Sequence, residues 1–246
     1  MTKKISFNKE EGQEFKHVLK ERVNAYFQEK NISIKANAAM YFKTTFYLLT
    51  MGALYGLLLS HLIPALLVYP ILGFFIAIGT MNISHDALHG AYFSGRFGNR
   101  VLGLLMDLFG ASSFYWRKEH TVDHHTFTNI AEHDADLMVP NVLRLCPKTK
   151  HHWFHRFQFI YAPFLYCVNL IHWVYYSDIK RIFALVKEEK RPPKREMCFL
   201  ILFKFVHITT FLIIPLFVLP IAWWIVLLGY LCFLFTIGIT LTIIFQ

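Results

Sequence analysis

Residues 44–83 read TTFYLLTMGALYGLLLSHLIPALLVYPILGFFIAIGTMNI, 40 residues without one Lys, Arg, Asp or Glu. At about 1.5 Å per residue a helix of that length measures ~60 Å, enough for two crossings of a ~30 Å hydrocarbon core. The break between them falls at His61 to Pro64, since proline cannot continue a helix. A second stretch, Cys198 to Phe245, holds only Lys204 and His207 as basic side chains, and Pro215 and Pro220 bracket its turn. With 55% hydrophobic residues and 25 Phe, a soluble globular chain is excluded. The expected fold class is an all-α integral membrane protein: four transmembrane helices in two hairpins, plus a cytoplasmic or interfacial helical region between them.

Orientation follows from charge. Nine basic and five acidic residues lie in 1–43, eight and seven in 84–176, and seven and four in 177–197. The turns near residues 62 and 218 carry none, so all polar segments share one side, and the positive-inside bias makes it cytoplasmic, both termini included. The net charge of +9 is read as topology and attraction to lipid headgroups, with no nucleic-acid partner. Lys180, Arg181, Lys187, Lys190, Arg191, Lys194 and Arg195 are first of all a stop-transfer flank.

Residues 1–40 form a polar N-terminal segment without the apolar core of a secretory signal. Phe15, Val18, Leu19, Val23, Tyr26 and Phe27 recur at helical spacing, as in a helix that lies on the membrane surface or packs on the cytoplasmic region. Residues 41–246 form the second unit. Within it Val101–Phe109 is too short to span, and Phe157–Tyr176 contains Pro163, Asn169 and His172. A fifth span there would also move the basic loop to the wrong side, so both runs are expected to be interfacial or partly re-entrant. Cys146, Cys167, Cys198 and Cys232 make no CxxC pair and suggest small core residues rather than a disulfide frame or thiolate site.

Two histidine clusters follow the first hairpin: His85-Asp86-Ala87-Leu88-His89, and His120-Thr121-Val122-Asp123-His124-His125. Histidine is 13 of 246 residues, so an HxxxH pair arises by accident about 0.7 times in such a chain and HxxxHH only ~0.04 times, which makes the second cluster the stronger signal. On an α-helix His85 and His89 share a face, as do His120 and His124, while His125 is turned by about 100° and can reach a different ion. An imidazole-rich set without thiolates suits Fe, Zn or Cu, and five ligands favour two ions over one. Ligating histidines usually donate their other nitrogen to a carboxylate or carbonyl; Asp86 and Asp123 are the expected partners. Glu132, Asp134 and Asp136 fit that role or a solvated acidic loop equally well.

His85 through Ala91, then Trp116-Arg117-Lys118-Glu119-His120 through His124-His125-Thr126-Phe127-Thr128-Asn129, resemble the first two histidine boxes of membrane fatty-acid desaturases. The likeness is greatest to front-end types, including bacterial linoleoyl-CoA-desaturase-like proteins. It extends through Arg22 to Phe27, His155 to Gln158, and Ile243 to Gln246, covering essentially the whole chain. It implies an oxygen-dependent enzyme with two Fe held by the box histidines and O₂ as co-substrate. A cis double bond would be placed in a fatty-acyl lipid or acyl-CoA, with electrons from an external cytochrome b5- or ferredoxin-like donor. Hydroxylation is the alternative within the superfamily. A histidine-rich metal transporter is the alternative outside it, although transporter ligands belong midway along spans.

Glu119 and Thr121 replace the Gln and Asn usual in the family. The family also carries another ligand histidine and a third, QxxHH box after the position of Gln246, and from that the 246-residue chain is expected to be iron-poor and inactive. His151-His152-Trp153-Phe154-His155 has the reverse order among Lys148, Lys150 and Arg156, and reads as an interfacial basic cluster. His17, His61, His172 and His207 stand alone and read as structural.

Overall fold

A computed structural model describes residues 5, 12–137, 139, 141–180, 183 and 193–245; Arg181, Lys187, Lys190, Arg191 and Gln246 lie outside them. Among the described residues there are helices and no strands. Helix α1 is Gln13–Glu29, α2 Ala38–Ser60 and α3 Ala65–Thr80. A π turn, Met81–His85, continues α3 into the short α4, Asp86–Leu88. Then come α5 (Arg96–Leu108), α6 (Ser113–Arg117), a second π turn (Lys118–His124) and α7 (His125–Phe127). Helix α8 is Gln158–His172, entered through a 3₁₀ turn at Trp153–Phe157 and prolonged by a π turn at Trp173–Ser177. The last are α9 (Lys194–Ile208), a π turn (Thr209–Ile213), α10 (Ile214–Val218) and α11 (Trp223–Phe245).

Each of the four expected spans is present: Ala38–Ser60, Ala65–Leu88, Lys194–Val218 and Trp223–Ile244. A fifth helix, Trp153–Lys180, is also long and apolar enough to cross a membrane, so length and composition select five helices where the sequence reading counted four. Pro163 does not interrupt it. It lies antiparallel to α11, with Cys167 against Gly238 and the Tyr175 hydroxyl bonded to that of Tyr230. The other doubtful run became α5, an amphipathic helix that buries Asn99, Gly103, Met106 and Asp107 and exposes Phe97 and Val101.

Close backbone approach holds the spans together. Helix α11 runs parallel to α3; a Cβ on Gly73 would sit 2.6 Å from the Phe233 carbonyl oxygen, and one on Gly238 2.7 Å from that of Cys167. In lipid, where apolar side chains gain little by leaving hydrocarbon, such small-residue contacts drive helix association. Leu58, Val68, Tyr69, Leu72, Ile76, Val226, Phe233 and Leu234 fill the interface. The π turn at Thr209–Ile213 bends backbone bonding out of α register, and the Thr210 and Phe211 carbonyls accept the hydroxyls of Tyr55 (2.8 Å) and Tyr69 (2.9 Å).

Helix α1 buries none of its residues: Phe15, Leu19, Val23 and Tyr26 are exposed, so α1 does not pack on the histidine-bearing region. The segment after it is tied down, however. Lys35 Nζ donates to the Gly90 carbonyl (2.7 Å) and the Ala36 N–H to that of Tyr92 (3.1 Å).

Candidate metal centre

The first histidine cluster is delivered by the end of a membrane helix. His85 is the last residue of the π turn that prolongs α3, and His89 follows α4, its N–H bonded to the His85 carbonyl at 3.0 Å. Helix α5 folds back on this corner through Ser84 Oγ, which donates to the Leu102 carbonyl (3.1 Å). The second cluster rides on α6, the π turn and α7.

The structure brings all five histidines together. Ring centroids are 4.5 Å apart for His85–His89, 5.5 Å for His85–His120, 5.3 Å for His89–His120, 5.0 Å for His89–His125 and 4.7 Å for His120–His125. One nitrogen from each of His85, His89 and His120 falls within 4.8 Å of the others. The helix register differs from the expected one. The His125 N–H reaches back five residues to the His120 carbonyl, as π bonding requires, so His125 rather than His124 sits closest above His120. His124, with its centroid 5.4 Å from His120, turns toward carboxylates.

Those carboxylates are Asp134 and Asp136. His124 Nδ1 lies 2.9 Å from Asp134 Oδ1 and 3.1 Å from Asp136 Oδ2. Asp134 is 1% exposed and also accepts the N–H groups of Asn129 (2.7 Å) and Asp136 (3.0 Å). Left-handed Asn129 (φ 62°) and Glu132 (φ 72°) turn the chain back to bring it there. Of the acids expected from sequence, Asp86 Oδ1 is 3.3 Å from His85 Nδ1. Asp123 forms no ion pair with a histidine among the described residues.

Protonation suits metal binding. Burial, then the neighbouring His125, His89 and His85, push His120 down to about 4, so its ring is neutral at physiological pH. Burial, then His85 and His125, lower His89. His124 is raised, chiefly by its hydrogen bond to Asp134. Burial works to raise Asp134, but the bonds from His124, Asn129 and Asp136 outweigh it and hold the carboxyl below its ordinary range.

Beneath the rings lies Trp116, 8% exposed, stacked on His120 at 4.4 Å and edge-on to His85 at 5.5 Å and His89 at 6.0 Å. It carried no role of its own in the sequence reading, though its place four residues before His120 on a helix puts the two on one face. His151 and His152 lie away from this centre. His155 is buried with both ring nitrogens engaged, Nε2 at 2.8 Å from the Asn141 carbonyl and Nδ1 accepting the His152 N–H at 3.0 Å. His207 is buried between the Leu108 carbonyl and the Tyr230 hydroxyl.

A polytopic helical membrane protein with five imidazoles gathered at the end of its spans is the class that fold and site define. The chain belongs to the fatty acid desaturase family, whose profile matches residues 60–246. It is 33% identical over 87% of its length to an sn-1 linoleoyl-lipid 6-desaturase of Arthrospira platensis. It is 36% identical over 71% of its length to the Synechocystis protein of the same name, and 34% identical over 71% to an acyl-lipid (8-3)-desaturase of Physcomitrium patens. The alignments span 60%, 49% and 37% of those three relatives. No solved structure matches the chain.

Proposed function

We propose that this chain acts as an oxygen-dependent desaturase of acyl chains carried on membrane lipids, with two irons held by His85, His89, His120, His124 and His125. The observation that carries the reading is the convergence of five imidazoles, from segments separated in sequence, at the end of α3. The donor set fits iron: imidazole nitrogens, no thiolate, and a carboxylate behind one ligand. The acyl-lipid substrate rests on the names of the relatives.

When bound, iron would supply, with O₂, two electrons and two protons, the oxidising power to take two hydrogens from adjacent CH₂ groups, leaving a cis double bond and two waters. The protein's part is positional. His120 offers a lone pair without first losing a proton. Asp134 takes the Nδ1 proton of His124 in a hydrogen bond, leaving Nε2 as the free donor atom. Trp116 closes the floor of the cluster against water. The donor of electrons is a separate protein, cytochrome b5- or ferredoxin-like, on the cytoplasmic side; with four crossings, Trp153–Lys180 not traversing the bilayer, the excess of Lys and Arg puts the centre and both termini there.

The test is expression in a host with a competent donor, iron quantification of the purified chain, and mass spectrometry of host acyl lipids. Iron in the wild type, lost in His120→Ala and His125→Ala, supports the metal assignment, and new double bonds that disappear in the same variants support the reaction. Iron retained by both variants would refute the first; new double bonds that persist in both variants would refute the second.

A further inference from the structure

Lys204 lies ten residues into α9 from Lys194, about 15 Å along a membrane helix, where a charged side chain is costly and commonly functional. Its Nζ is 2.8 Å from Asp178 Oδ2 and also donates to the carbonyls of Gly110 and Val174. Asp178 is fully buried, and the same Oδ2 accepts the Ser112 N–H at 3.2 Å. Asp107, at the end of α5 and 5% exposed, accepts the Ser113 N–H at 3.1 Å. Three side chains from separate helical segments thus grip the single turn Gly110–Ser113. The turn is also wedged: Gly110 has φ 99°, and a Cβ there would meet Val174 Cγ1 at 3.0 Å and the His207 ring at 3.3 Å.

Where that turn leads gives the grip its meaning. Ser112 caps α6 by accepting the Tyr115 N–H, and α6 runs on through Trp116 to His120, His124 and His125. In the other direction α5 leans on the first cluster, through Ser84 and through Leu88 packed against Gly103. The turn is therefore the corner between the element braced on one histidine cluster and the element carrying the other. We infer that Lys204, Asp178 and Asp107 are positioning residues that set the second histidine cluster against the first. A buried ion pair contributes little net stability compared with apolar side chains of similar size, but its bonds are directional, and direction is what a corner needs. The inference rests on the metal reading only for what the two clusters hold.

The test compares the full chain in lipid nanodiscs with Lys204→Met, Asp178→Asn, the double variant and Gly110→Ala. Each single charge change removes one side of the Lys204–Asp178 ion pair and is expected to reduce folded yield, which the double variant restores. In the folded double variant, amide exchange over residues 111–127 should accelerate about tenfold or more while α3 and α11 keep their protection. Co(II), as a visible probe of the histidines, should bind about tenfold more weakly or worse. Gly110→Ala, which leaves the charges intact, should loosen the same residues, and it decides the matter if the double variant does not fold. Unchanged exchange over 111–127, or acceleration shared equally by α3 and α11, would overturn the inference. If His120→Ala binds Co(II) as the wild type does, the metal reading fails and the exchange result still judges the corner.

Discussion

Replacing Asp134 by alanine removes one acceptor group from three donors: His124 Nδ1, the Asn129 N–H and the Asp136 N–H. A buried donor left without an acceptor costs about 1–3 kcal/mol, but Asn129 and Asp136 border solvent and water can replace part of what is lost, so we expect the loop to lose about 2 kcal/mol. The larger effect falls on His124, whose ring keeps only the exposed carboxylate of Asp136 at 3.1 Å to orient it; losing a buried outer partner typically weakens metal binding 10–100-fold, about 1.4–2.8 kcal/mol. Asp134→Asn, which keeps one oxygen but presents an N–H to a donor, should fall between, and Asp123→Ala should change nothing. The assay is Co(II) titration of the wild type, these three variants and His124→Ala with chelator competition. Without metal the pair has a pH signature. Asp134 is lowered, so its contribution is complete above the ordinary carboxylate range near ~4 and fades as pH falls through its lowered value; His124 is raised, so its share is complete below ~6.5 and fades as pH rises through its raised value. Amide protection of residues 127–136 should therefore peak between those limits in the wild type and show a shallower peak in Asp134→Ala, where Asp136 is the remaining carboxylate beside His124. Co(II) affinity of Asp134→Ala within twofold of wild type, with His124→Ala defective, would refute the reasoning.

Iron content should fall in His85→Ala and His89→Ala and stay unchanged in His151→Ala and His152→Ala; metal loss in either of the latter would bring that cluster into the site. Single cysteines at Leu62 and Pro220, both exposed in the turns between spans, should react with an impermeant maleimide from outside the cell, and labelling only after lysis would reverse the topology. Gly238→Val places a side chain where a Cβ already meets Cys167 backbone at 2.7 Å, so overpacking of about 1–3 kcal/mol should lower the apparent melting temperature in detergent by several degrees; an unchanged value would show that α8 and α11 separate easily.

The spans were legible because lipid imposes a blunt rule, long runs without charge, which Thr44–Ile83 obeys outright and Cys198–Phe245 with the single exception of Lys204. Trp153–Lys180 was harder: its proline and polar residues argued against a long membrane helix, yet a continuous helix satisfies its own backbone, and Tyr175 finds Tyr230 as a partner. The HxxxH and HxxxHH spacings, with the likeness to desaturase boxes, marked out the five histidines that the fold brings together. Their register was not legible, because a π turn has no composition of its own, and i→i+4 reasoning paired His120 with His124 where i→i+5 bonding favours His125. Asp134 could not be preferred over Asp123 from sequence, since two left-handed residues decide which acid comes back. Lys204 was left over for a related reason: its partners Asp178 and Gly110 are distant in sequence and meet it only through packing.

The parallel seating of α11 on α3 has a consequence for how the molecule is made. The face of α3 around Gly73 is complete only when a helix translated some hundred and fifty residues later lies against it. Until then the first hairpin rests in the bilayer with a groove filled by lipid tails or by the insertion machinery. The contact that completes this face therefore forms late, after both hairpins have been synthesised.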